Sequence, residues 1–143
     1  MATLTVTNNT SLTLGSTSYA VNRSYTVECE WADKRALTVP NSEVSLLTIG
    51  TPATSGQVPN IVFFMLKCRD TTTGLRIRFI DTGNDAVDFK VDAGEHIVWH
   101  DNKLEVNTTG ATFTAYVTLD TIFVNGDGAT TDIEYLVCSR KIT

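Results

Sequence analysis

Long apolar runs are missing from this 143-residue chain, as are helical repeats, paired cysteines and blocks of positive charge. No stretch approaches the roughly 18 apolar residues of a membrane-spanning helix, so no membrane partner is expected. Lys and Arg number 11 against 16 Asp and Glu, a net charge of −5. No basic cluster could follow a phosphate backbone, which argues against nucleic acid. The opening "MATLTVTNNT" has neither a basic nor an apolar segment of a secretory leader, so the expectation is synthesis and folding in a host cytoplasm. Cys29, Cys68 and Cys138 lie far apart in apolar segments. That spacing lacks the close pairs of a zinc site and predicts buried free thiols. There is no G-x-S-x-G nucleophile turn and no glycine-rich phosphate loop. Neither a cofactor nor a catalytic set is therefore expected.

What the chain does have is threonine, 24 residues of it. Threonine is β-branched and suits a half-exposed pleated strand. Apolar residues alternate with polar ones, and no ten-residue window shows the i, i+3, i+4, i+7 spacing of a helix. The reading is all-β, with nine to eleven short strands at 8–12-residue spacing. One domain is expected from the length. An antiparallel sandwich of jelly-roll or Greek-key topology accounts for the spacing and the turn lengths.

Individual segments follow. "LTVT" and "SLTL" flank "NN", a turn pair, and residues 1–20 are set aside as an N-terminal arm or edge strand. "SYTVECEW" (24–31) puts Tyr25, Val27, Cys29 and Trp31 on one face, which predicts a core Trp31. "ADK" is read as a turn before "RALTV". Residues 50–60, "GTPATSGQVPN", read as the longest surface loop. "IVFFMLKC" (61–68) is apolar on both faces. It is therefore a strand covered on both sides, or one that reserves a face for another subunit. Ile61, Phe63 and Met65 are the candidates for self-association. In "LRIRFID" (75–81) Leu75, Ile77 and Phe79 face in, while Arg76 and Arg78 face out. "TFTAYVTLDTIFV" (112–124) is long enough to carry a bulge near Asp120.

Residues 90–106, "KVDAGEHIVWHDNKLEV", hold both histidines. On a strand His96, Val98 and His100 share a face, opposite Ile97 and Trp99. At about 3.3 Å per residue the histidines stand roughly 13 Å apart, too far to share one metal ion. Glu95 and Asp101 stand about 20 Å apart by the same rise, beyond the 5–10 Å of a glycosidase acid–base pair. "NGDGATTD" (125–132) places Asn125, Asp127 and Asp132 in a loose calcium-loop pattern but lacks its early third ligand and terminal glutamate; it is read as a turn. Tyr116 is out of phase with its apolar neighbours and is the one ring expected to face solvent. His96, His100, Arg76, Arg78 and Tyr116 are thus the candidates for contact with a partner.

From residue 60 to 141 the chain resembles small virion proteins of tailed bacteriophages. The elements that carry the resemblance are "IVFFMLKCRD", a turn and "TGLRIRFID", the "VDAGEHIVW" step, and a last strand after a glycine-rich turn. It implies a jelly-roll of the capsid decoration or cement type, not an enzyme. The partner would be a major capsid protein or another virion protein, and the site of residence the virion. It also implies a cyclic homo-oligomer, most often a trimer. A receptor- or glycan-binding sandwich of a phage head or tail fibre is the alternative.

Overall fold

The computed structural model describes residues 2–49, 57–58, 60–100, 103–104 and 117–140. Every element in it is a strand. In chain order these are β1 (Ala2–Leu14), β2 (Thr17–Cys29), β3 (Trp31–Val39), β4 (Val44–Ile49), β5 (Gln57–Val58), β6 (Ile61–Cys68), β7 (Leu75–Asp81), β8 (Ala86–Val91), β9 (His96–Trp99), β10 (Lys103–Leu104), β11 (Val117–Gly126) and β12 (Thr131–Ser139).

Two sheets make the body. One has the order β3-β12-β6-β9; the other runs β5-β4-β11-β7-β8, with β10 also paired to β11. The antiparallel pairs nest: β3 with β12, β4 with β11, β6 with β9, β7 with β8. This is one long antiparallel ribbon rolled up so that successive rungs fall in opposite sheets, the jelly-roll. Rolling leaves each sheet one inner face, and alternation fills it. Leu75, Ile77 and Phe79 of β7, Ile122 and Val124 of β11, and Ile133 and Val137 of β12 are fully buried between the sheets. Phe79 sits at the centre, edge-on to Phe64, Phe89 and Trp99 at 6.3, 5.5 and 5.1 Å between ring centres. The pairing register shifts between Leu119 and Thr121, a bulge at Asp120 as the strand length predicts. All three cysteines are buried free thiols.

The first 39 residues differ from the sequence reading. There is no turn at Asn8-Asn9. The strand runs unbroken to Leu14 and reverses at Gly15-Ser16, where Gly15 takes φ +62°, a left-handed conformation that only glycine adopts freely. Thirteen rungs, from Ala2↔Cys29 to Leu14↔Thr17, join β1 and β2 into one hairpin. "ADK" is not a turn but lies inside β3. The break falls at Glu30, a bend whose N–H donates to Ser139 O at 3.0 Å. That bend resets the alternation, so Trp31 is not core but 41% exposed. Of the loop read over 50–60, Gln57–Val58 forms a short parallel strand against β4, and most of the remainder lies outside the described residues.

Candidate functional site

The β1–β2 hairpin is a third layer. Its first rungs lie over the outer face of the β3-β12-β6-β9 sheet, and its far rungs extend away from it. At about 3.4 Å per residue its strands are some 44 Å long. Cross-strand register sorts its side chains onto two faces. One carries Thr3, Thr5, Thr7, Asn9, Ser11 and Thr13 with Glu28, Thr26, Ser24, Asn22, Ala20 and Ser18. The other carries Leu4, Val6, Leu12 and Leu14 with Val27, Tyr25, Val21 and Tyr19, interrupted by the Asn8–Arg23 rung.

The apolar face meets two different fates. Near the base, Leu4 and Val6 pack with Cys29 against Phe63, Met65, Leu136 and Cys138 of the sheet. Toward the tip, Leu12, Leu14, Tyr19 and Val21 are 54, 61, 57 and 71% exposed. No charged residue occurs between Ala2 and Asn22, in a chain with 27 of them. Sheet edges exposed to solvent normally carry charges or proline that discourage pairing, and this hairpin carries neither on either strand before Arg23.

Where the hairpin passes over the sheet it leaves a cleft of about 510 Å³. Val6, Val21, Phe63, Met65 and Val98 supply its apolar surface, and Thr7, Asn8, Asn9, Thr10, Arg23, Tyr25, His96 and His100 its polar groups. The Tyr25 hydroxyl lies 2.8 Å from His100 Nδ1 and 3.0 Å from Nε2. The His100 ring is also edge-on to Phe63 at 5.5 Å. Arg23 holds its guanidinium 5.5 Å from the centre of the Tyr25 ring. Among the described residues the cleft lining contains no carboxylate.

The candidate residues named from sequence divide accordingly. His96, Val98 and His100 do share one face of β9, opposite the inward Ile97 and Trp99, and that face is a wall of the cleft. Phe63 and Met65 also point outward, but the hairpin covers them: Phe63 is only 4% exposed. Ile61 is corrected outright. The register slip opposite Cys138 and Ser139 turns it into the inter-sheet core, 1% exposed and away from any partner surface. The two-faced apolarity of β6 is thus explained within one chain, by the opposite sheet and the hairpin.

Arg76 and Arg78 face out from the other sheet, and they are not free. Arg78 pairs with Asp88 at 2.6 Å and Glu43 at 2.8 Å, and Arg76 with Asp127 at 2.8 Å. Hydrogen bonds from Arg78 hold the Asp88 carboxyl below the usual carboxylate range. Asp127 is lowered likewise, first by its hydrogen bond from Arg76. That places Asp127 among cations, Lys90 included at 3.6 Å, rather than among metal-ligating oxygens. Among the described residues no group of three or more His, Cys, Asp or Glu is placed to hold a metal ion. Tyr116 and Asp101 lie outside the described residues.

Sequence reasoning missed the hairpin tip, although its signal is present in the unbroken alternation through "LTLGSTSYAV" and in the absence of charge. The Arg23–Tyr25–His100 cluster had no local signal, because 75 residues separate Tyr25 from His100. No protein-family model matches the chain, and no curated protein sequence matches it.

Proposed function

We propose that this chain is a non-enzymatic virion structural protein, a jelly-roll that decorates or cements a bacteriophage capsid by laying its hairpin across a seam between capsid subunits. The observation that carries the reading is the hairpin tip. Leu12, Leu14, Tyr19 and Val21 form an exposed apolar strip on a two-edged ribbon that carries no charge from Ala2 to Asn22. Contiguous exposed apolar surface of this kind marks an interaction site. The resemblance of residues 60–141 to decoration proteins supplies the identity of the partner, a major capsid or other virion protein.

Magnitudes favour a multivalent arrangement. Fully burying a large apolar side chain contributes about 1.5–3 kcal/mol. Four that are already part-buried give roughly 4–8 kcal/mol, against an association cost of about 4–15 kcal/mol. One arm therefore binds weakly. A homotrimer presenting three arms to one particle makes the later contacts intramolecular and raises avidity by orders of magnitude.

The test is co-sedimentation with particles assembled from the major capsid protein encoded beside this chain. Wild type should pellet with the particles, and Leu12→Asp with Tyr19→Asp should stay in the supernatant. Wild type left in the supernatant, or a double variant that pellets equally, defeats the proposal.

A further inference from the structure

The cleft between hairpin and sheet has a chemical character that assembly does not require. The chain has a net charge of −5, yet here it gathers both of its histidines and an arginine, with no carboxylate among the described residues of the lining. Arg35, Arg76 and Arg78 are each tied to Asp or Glu within 2.9 Å. Arg23 makes no ion pair among the described residues; it rests on the Tyr25 ring. Its guanidinium keeps its donors for an anion. Beneath it lie Met65 and Val98, an apolar floor, with the Asn8 amide on the arm side. A volume of about 510 Å³ is within the range of small-molecule sites, which combine an apolar surface with a few convergent polar groups.

We infer that this cleft binds an acidic saccharide, a carboxylate-bearing pyranose whose carboxylate pairs with Arg23 while the C–H face of the ring lies on Met65 and Val98. A pyranose matches the lining because it has one apolar face and a rim of hydroxyls. Asn8, Tyr25 and the two histidines offer both donors and acceptors for that rim. The site can be separated from the capsid reading: of the four tip residues that would meet a capsid only Val21 also lines it, and Leu12 and Tyr19, the positions changed in the co-sedimentation test, do not.

The experiment uses the full chain on an array of sialyllactose and glucuronic acid-terminated oligosaccharides, printed beside their carboxyl-reduced or neutral counterparts. Titration calorimetry with the best-bound glycan then follows. Binding of acidic glycans at least about tenfold tighter than their neutral counterparts is expected. Arg23→Gln should weaken binding at least about tenfold with the thermal midpoint unchanged. Lys90→Gln, the same loss of charge on the opposite sheet, should change it less than twofold. The inference is overturned by no binding to any acidic glycan, by equal binding of the carboxyl-reduced forms, or by equal losses in the two variants. These outcomes leave capsid co-sedimentation untouched, so each reading can fail alone.

Discussion

Tyr135 of β12 is buried, with its hydroxyl donated to Asp33 Oδ2 at 3.1 Å. Burial, then that hydrogen bond and the Asp33 charge, push its pKa up to about 12. The folded value exceeds the ordinary value near 10, so the stabilisation is complete below pH 10 and is lost as pH rises from 10 through 12. Tyrosinate absorbance at 295 nm should show one of the four tyrosines ionising near pH 12 in the folded protein; ionisation of all four near 10 would contradict this geometry. Phe79 is the corresponding apolar centre. It has no exposed surface and touches three other rings, so Phe79→Ala should cost about 3–5 kcal/mol in urea unfolding. A loss below about 1 kcal/mol would mean that the sheets do not pack around it.

The hairpin divides into two halves that should respond differently to the same chemistry. Near its base it covers Cys138, so Cys138→Asp puts an unpaired charge between two apolar layers and should cost about 2 kcal/mol or more. Proteolysis within β1 and β2 should accelerate in the same variant. Leu12→Asp acts on a side chain that is already 54% exposed, and the unfolding free energy should move by less than about 0.5 kcal/mol. Equal losses from both variants would show the tip to be folded against the body. Other elements were readable: the strands of 61–68 and 75–81 have the same bounds in sequence and structure. The Asn8-Asn9 turn was misread because asparagine pairs are strong local turn signals. Thirteen ladder rungs and a glycine-serine reversal outweigh that preference.

Among the described residues the charges are laced over the surface, except Asp81, which is buried and accepts from the Gly83 and Asp85 N–H groups. Hydrogen bonds from Arg78, Arg76 and Lys34 lower the carboxyls of Asp88, Asp127 and Glu134 respectively. A carboxylate lowered by folding stabilises the protein above its unfolded pKa, and the gain is lost as pH falls through the folded value. The thermal midpoint should therefore hold from pH 8 to about pH 5 and decline below about pH 4. The drop should be modest and shrink in 1 M salt, because exposed pairs are screened. A midpoint indifferent to acid would show that these pairs contribute nothing.

Alternation alone specifies the all-β class, the inward set of β7 and the division of β9 into His96, Val98 and His100 against Ile97 and Trp99, because side-chain direction along a strand is a local property of two-residue period. Turn chemistry likewise marks the reversals at 82–85 and 92–94. Nesting of β3 with β12, the roll into two sheets and the folding of the hairpin over β6 depend on contacts between residues far apart in the chain. So do the exposure of Trp31, reset by one bend at Glu30, and the turning of Ile61 inward by a register slip. The meeting of Arg23 and Tyr25 with His100 is likewise a product of packing, since no local spacing encodes which strand faces will come together.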